Sequence, residues 1–312
     1  MASDRTLRGW SQRNLRSGVW RWRFAAILKI ALLVSLLGAA VLLAVLVFTG
    51  TPDDTRYLAS GIGVLIGLGA FSFVAEYIDS SVGMGYGTIV APVLLLGGFE
   101  PSTVIPAVLV AEAISGLVAA ALHHRARNVD FTPASRDLRV ATFIAVPAAA
   151  AAAATAAVAT TLDLGATEVV IGVIVIAGGA IVLAGRRVSG AFSWSKAGGL
   201  GLLAAIAKGV SGGGFGPVST VGQIAIGIPE RSAIGITSLA EGIASCAGLA
   251  VFVAIEGWPP LRLAAPLVIG GLLAIPAAVW TVRLLSPSTM RVALGAAACF
   301  LGGLVLITRV VA

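Results

Sequence analysis

Two similar glycine-rich segments, Asp79-Ser-Ser-Val-Gly-Met-Gly-Tyr-Gly-Thr88 and Gly212-Gly-Gly-Phe-Gly-Pro217, divide the sequence into comparable halves. A shift of 129 residues, from Gly83 to Gly212, places the first segment on the second, and it also places Glu112 on Glu241. A charge in the middle of an apolar helix costs about 3 kcal/mol, so a glutamate aligned with a glutamate there is seldom a chance match. The alignment therefore predicts an internal repeat.

The composition of the chain is that of a membrane protein. Hydrophobic residues make up 58% of the 312 residues and charged residues 11%, which is too little polar surface for a soluble fold of this size. Several apolar runs approach or exceed the roughly 20 residues that cross a bilayer. They are residues 24–49, 140–162, 169–185, 261–282 and 292–308. We therefore expect an all-α polytopic protein surrounded by lipid.

Basic and acidic loops alternate along the chain. Residues 1–23, before the first apolar run, are rich in arginine, and residues 123–139 and 186–196 are also basic. Residues 51–54 and 161–168 are acidic. Because basic loops remain in the cytoplasm, the pattern predicts a multi-pass protein of the cell (inner) membrane with a cytoplasmic N-terminus. The net charge of +7 is then an orientation signal, and no nucleic-acid partner is expected.

These signals predict four parts of the chain. Residues 1–23 form a cytoplasmic basic arm, residues 24–49 an extra transmembrane helix, residues 57–185 a first membrane repeat and residues 186–312 a second. The loop charges give the two repeats opposite orientations. Each inverted repeat is expected to hold about four transmembrane helices plus a re-entrant or broken segment at its glycines, as in many secondary transporters. A homodimer is possible on this plan.

The glycine runs predict an anion-binding site. Consecutive glycines let the backbone turn and leave N–H groups unpaired, and a helix that begins just after them adds the positive end of its dipole. Close helix packing is the structural alternative for the same glycines. Pro217 is expected at the first position of the second such helix. The candidate substrate-binding residues are Ser80, Ser81, Gly83, Gly85, Tyr86, Gly87, Thr88, Ser211, Gly212, Gly214, Phe215, Gly216, Ser219, Thr220 and Gln223.

Acidic residues inside the apolar runs are candidates for ion or proton coupling. Glu112 and Glu241 lie near the centres of predicted helices, where a carboxyl group faces a cavity, carries a proton or stays neutral in a hydrogen bond to a neighbouring helix. Glu76 and Asp79 are three residues apart and share a helix face. Asp79 aligns with Lys208 under the same shift, so we hypothesise that these two side chains pair. No metal site and no cofactor are expected.

Three stretches resemble the TauE/SafE sulfite exporter family of anion transporters. They are residues 79–88 with Pro92, residues 212–217, and Thr237-Ser-Leu-Ala-Glu241, and the resemblance extends over about residues 57–311. The first copy reads Gly-Met-Gly-Tyr-Gly where many members carry a plainer glycine run. The resemblance implies transport, with export as the expected direction, of a small sulfur-containing or organic anion such as sulfite or a sulfonate.

Other functions are compatible with parts of the sequence. A passive anion channel would need the same binding groups but no coupling ion. A metal-cation transporter would use the intramembrane carboxylates directly. Gly209-Val-Ser-Gly-Gly213 matches the Gly-x-Ser-x-Gly pattern of serine enzymes, but such a serine needs a base, and His123 and His124 are expected at a helix end near the membrane surface. We therefore expect no enzyme.

Overall fold

A computed structural model of the protein describes residues 62–83, 85–96, 99–158, 192–211, 214–258 and 261–286, with single positions between 173 and 183 and between 289 and 303. Every regular element within these ranges is an α-helix, which agrees with the all-α prediction. The predicted basic arm and the extra helix over residues 24–49 lie outside the described residues, as do most of residues 169–185 and 292–308.

The described helices of the two halves follow the same order, one short helix after the first long helix and two more long helices after it. The first half contributes α1 (Ile62–Val82), α2 (Tyr86–Leu96), α3 (Pro101–Arg125) and α4 (Arg136–Val158), and the second half contributes α5 (Trp194–Ser211), α6 (Phe215–Ala225), α7 (Glu230–Glu256) and α8 (Leu261–Leu284). The helices α1, α3, α4, α7 and α8 are long and apolar enough to cross a membrane. By contrast, α2 and α6 have 11 residues each, or about 16 Å of helix, roughly half of the hydrocarbon core.

Glycines separate each short helix from the helix before it. Gly83 and Gly85 adopt φ values of +68° and +79° between α1 and α2, and Gly214 adopts +87° at the N-cap of α6. Left-handed backbone of this kind is accessible to glycine at little cost and disfavoured for other residues. The chain therefore breaks where the sequence predicts it. Pro217 is the third residue of α6 rather than the first, because the helix begins at Phe215.

The most extensive helix contacts are the same when the two halves are exchanged. Helix α8 packs on α1 and α3, and its counterpart α4 packs on α5 and α7. The contacts between α3 and α7 and between α2 and α6 join equivalent helices. One apolar core accordingly gathers α1, α2, α3 and the first turns of α8, while another gathers α4, α5, α6 and α7. In each core, three helices come from one half of the sequence and the fourth comes from the other half.

Close backbone contacts hold these helices together. A Cβ atom added at Gly116 of α3 would lie 2.9 Å from the Ser238 carbonyl oxygen and 3.1 Å from the Gly242 Cα of α7. A Cβ at Gly270 of α8 would collide with the backbone of Gly69 in α1. Small residues allow membrane helices to approach this closely, so glycine packing and glycine-based helix breaks are both present in the fold.

Candidate functional site

The N-terminal ends of α2 and α6 meet inside the helix bundle; we call this meeting point the junction. A Cβ atom added at Gly216 would lie 2.7 Å from the Gly85 Cα and 2.9 Å from the Gly83 carbonyl oxygen. Hydroxyl groups link the two helix starts in both directions. Gly214 N donates to Thr88 Oγ1 at 2.6 Å, and Thr220 Oγ1 donates to the Gly83 carbonyl at 2.7 Å.

The N–H groups at the start of α2 donate hydrogen bonds to carboxyl groups of the protein itself. Gly85 N donates to Asp79 Oδ1 at 2.6 Å, and Gly87 N donates to Glu112 Oε1 at 3.0 Å. Both acidic side chains are buried. Unpaired N–H groups at a helix start attract negative charge, and a carboxylate is a small oxyanion. The start of α2 thus binds carboxyl oxygen atoms in this structure.

A buried lysine supplies the positive charge beside these carboxylates. Lys208 Nζ of α5 contacts Glu112 Oε2, lies 3.3 Å from Glu241 Oε1, and sits 5.9 Å from the centre of the Phe215 ring, within cation–π range. The side chain of Lys208 is 3% exposed. Among the described contacts, Lys208 pairs directly with the two repeat-related glutamates, and Asp79, its hypothesised partner, accepts from the Gly85 amide.

Acidic groups outnumber the ammonium at the junction. Glu76, Asp79, Glu112 and Glu241 are all less than 9% exposed, whereas Lys208 is the only buried lysine or arginine among the described residues. Glu76 accepts a hydrogen bond from Ser80 Oγ at 2.6 Å through Oε1, and the described part of the chain gives its Oε2 no hydrogen bond within normal geometry. Several uncompensated carboxylates cannot stay ionised together in a buried site, so the cluster must hold protons.

A hydroxyl and amide network fills the space between α6 and α7. Gln223 Nε2 donates to Ser219 Oγ at 2.9 Å and to Thr237 Oγ1 at 2.8 Å, and Thr237 Oγ1 also lies 2.9 Å from Thr220 Oγ1. The candidates Ser219, Thr220 and Gln223 therefore lie together. Thr237, their common partner, was not predicted as a site residue, although it lies in the stretch that carries the family resemblance.

Other predicted site residues have structural partners. The Tyr86 hydroxyl lies 2.8 Å from Ser72 Oγ, which in turn donates to the Leu267 carbonyl of α8, so Tyr86 anchors the start of α2. Ser81 Oγ donates to the Ile78 carbonyl within its own helix at 3.3 Å. Gly212 and the side chain of Ser211 lie outside the described residues.

His123 lies in the last turn of α3, the helix end that the sequence predicted, and its side chain is buried. Asn128 Nδ2 donates to His123 Nδ1 at 3.0 Å and to the Val279 carbonyl at 3.1 Å. Nδ1 is therefore the acceptor, and Nε2 carries the hydrogen that it donates to the Ser80 carbonyl at 2.9 Å. His123 thus ties the end of α3 to the last turn of α1, which carries Asp79 and Ser80. His124 lies at the helix end, where its Nδ1 accepts from Phe131 N.

The comparisons with known proteins agree with the resemblance. Residues 68–305 match the family described as Sulfite exporter TauE/SafE. The "Probable membrane transporter protein YtnM" of Bacillus subtilis (strain 168) is 25% identical over 242 residues, which cover 72% of this chain and 78% of that protein. No solved structure matches the chain. Because the family match extends over most of the sequence, including both helix breaks and Lys208, this protein belongs to the TauE/SafE family of membrane transporters.

Proposed function

We propose that this protein is a secondary transporter that exports a small sulfur-containing or organic anion, such as sulfite or a sulfonate. The observation that carries the proposal is the position of Lys208, a buried ammonium beside the junction, where the start of α2 already donates N–H groups to two carboxyl groups and the start of α6 donates one to a hydroxyl. Fixed N–H groups, hydroxyls and an ammonium away from water form a strong site for an oxyanion.

The short helices support a site inside the membrane. Helices α2 and α6 each span about half of the hydrocarbon core, and their N-terminal ends meet. Two half-helices that enter from opposite faces would meet in this way, which favours the inverted orientation of the two halves. The cytoplasmic N-terminus and a homodimer stay predictions.

The two alternative functions fit the junction less well. Gly85 and Gly216 are in direct contact, so the junction is closed and an open pore would require the two helix starts to separate. A divalent cation at the carboxylates would face the Lys208 ammonium, which already holds Glu112 and Glu241. Membership in a transporter family also favours transport over catalysis.

The test is sulfite flux through the purified protein in proteoliposomes. We expect saturable [35S]sulfite efflux that is accelerated by unlabelled sulfite on the other side, because a carrier exchanges substrate whereas a channel does not. Lys208→Met should reduce this flux about tenfold or more, equivalent to ~1.4 kcal/mol or more of lost interaction. The matched control is Lys196→Met, an exposed lysine on the same helix.

Three results would contradict the proposal. Wild-type flux no greater than that of protein-free liposomes would remove the transport function. Flux without acceleration by substrate on the other side would favour the passive channel. Uptake of a divalent cation that is lost in Glu112→Gln would favour the cation transporter. Competition by methanesulfonate, thiosulfate and acetate in the same assay would then rank the anions.

A further inference from the structure

We propose that Glu112 is a tethered competitor of the transported anion. The anion enters the junction when Glu112 takes up a proton and releases both Gly87 N and Lys208, so that one proton crosses with each monoanion. This inference rests on the proposed function and specifies its coupling. It follows from which groups the Glu112 carboxylate occupies.

Glu112 is placed where a bound oxyanion would be. One of its oxygens accepts from Gly87 N at the start of α2, and the other contacts Lys208 Nζ of α5. Ser245 Oγ lies 3.4 Å from the same second oxygen. A carboxylate and a sulfite or sulfonate group present similar oxygen atoms to such donors, so the anion and the Glu112 carboxylate cannot hold the same N–H and ammonium at once.

The other acidic side chains at the junction do not bridge these two groups. Asp79 accepts from Gly85 N and makes no ion pair with Lys208 among the described contacts. Glu241 lies 3.3 Å from Lys208 Nζ but does not accept from an N–H at the start of α2 in the described residues. Glu112 alone among these three residues would have to leave both donors before an anion could take them.

The charges around Glu112 set the direction of the coupling. The titratable groups that interact electrostatically with it are Glu76 and Asp79 from α1, the Tyr86 phenol from α2, Lys208 from α5 and Glu241 from α7. An anion added while Glu112 is ionised would raise the excess of buried negative charge. An anion that replaces an ionised Glu112 leaves the charge of the junction unchanged. The empty and loaded proteins then carry the same charge, and the transport cycle is electroneutral for a monoanion.

Two measurable consequences follow. Binding of a monoanion requires uptake of a proton, so affinity falls as pH rises, by up to tenfold per pH unit. Transport of a monoanion does not respond to membrane potential, and the direction of net flux is set by the anion gradient together with the pH gradient.

The experiment measures sulfite flux in proteoliposomes at mildly acidic pH, where sulfite is a monoanion, with the membrane potential set by a potassium gradient and valinomycin. Wild-type flux should not change with the potential and should carry protons, reported by a pH-sensitive dye in the lumen. In Glu112→Gln, which keeps the size of the side chain but cannot ionise, flux should follow the potential and carry no protons. Glu256→Gln, at the exposed end of α7, should behave as the wild type.

A binding measurement on the purified protein tests the coupling even if a variant binds the anion but does not transport it. At mildly alkaline pH, Glu112→Gln should bind methanesulfonate, which stays a monoanion, at least tenfold more tightly than the wild type. Glu112→Ala also removes the carboxylate and provides the same comparison if the glutamine variant does not fold.

The outcomes separate the coupling from the transport function. A wild type that moves no sulfite above protein-free liposomes overturns the proposed function and this inference with it. Normal wild-type flux that responds to membrane potential overturns the coupling alone. Variants without the Glu112 carboxylate that bind no more tightly than the wild type at alkaline pH also overturn it.

Discussion

Lys208 is buried in the helix bundle, and its direct partners are not the residue that its position in the repeat indicates. It lies in the last turn of an apolar helix, where a lysine could reach the membrane surface, yet it is buried against Glu112 and Glu241. Removing one member of a buried ion pair costs about 3–5 kcal/mol, because the remaining charge has no partner. Removing both members costs much less.

We therefore predict that Lys208→Met lowers the free energy of unfolding by about 3 kcal/mol and that adding Glu112→Gln recovers most of the loss. The recovery has a physical cause: the double variant leaves fewer buried carboxylates without a cation. Thermal unfolding of the purified proteins in detergent measures both effects. Lys196→Met should change stability by less than about 0.5 kcal/mol. A double variant that is less stable than the single one would contradict the pairing.

Asp130 provides a prediction of pH dependence outside the membrane-spanning helices. Its Oδ1 accepts from Thr132 N at 2.9 Å in the loop between α3 and α4, and this hydrogen bond lowers the pKa of the carboxyl group. A group with a lowered pKa in the folded state stabilises it above the ordinary pKa and loses that contribution as pH falls through the lowered value.

We expect the protection of the Thr132 amide against hydrogen exchange, relative to its intrinsic rate, to fall in acid in the wild type. In Asp130→Ala the protection should be low at every pH, because no acceptor is left at this position. Equal protection in the two proteins at neutral pH would mean that the carboxylate does not hold the loop.

At the scale of the elements, the short helices depend on the glycines that precede and begin them. Gly83, Gly85 and Gly214 supply the left-handed backbone, whereas Gly216 is a helical residue whose missing side chain lets α6 touch α2. These are different requirements. The need for left-handed backbone is local and can be predicted from the sequence. The need for a missing side chain at Gly216 arises only because α2 packs against this residue.

We predict that Gly216→Ala forces the two helix starts apart. The added Cβ would lie 2.7 Å from the Gly85 Cα and 2.9 Å from the Gly83 carbonyl oxygen, and backbone atoms there cannot move independently. Overpacking of this kind costs about 1–3 kcal/mol, and sulfite flux should fall with the altered junction.

The matched control is Gly199→Ala in α5, where an added Cβ meets nothing within 4 Å. Alanine is the better helix former, so this variant should be as stable as the wild type or more stable by up to about 1 kcal/mol. Thermal unfolding and flux are measured on both variants. Similar behaviour of the two would show that the contact between α2 and α6 is unimportant.

At the scale of the whole molecule, the halves are interlocked. Helix α4 belongs to the first half in sequence but packs on α5 and α7, and α8 packs on α1 and α3. Neither half can bury the apolar faces of its own helices without the other. The contact between Gly116 and Gly242 joins the halves again at their centre.

We predict that fragments of residues 1–185 and 186–312 assemble when they are coexpressed and are unstable when each is expressed alone. The coexpressed pair should copurify through a tag on one fragment and should transport sulfite in proteoliposomes. The physical reason is that each apolar core lacks a helix in the isolated half. A half that is monodisperse and folded by itself in detergent would contradict this arrangement.

The sequence by itself determined the features that depend on local rules. Apolar runs of bilayer length predict membrane helices, and glycine runs predict the breaks at residues 83–85 and 214. The internal repeat identifies Glu112 and Glu241 as equivalent residues. Tertiary structure alone decided the rest. It pairs Lys208 directly with the two glutamates and not with Asp79, buries His123, and places each fourth helix in the other half. Partners of this kind depend on how helices approach across space, and the spacing of residues along a single chain does not encode those distances.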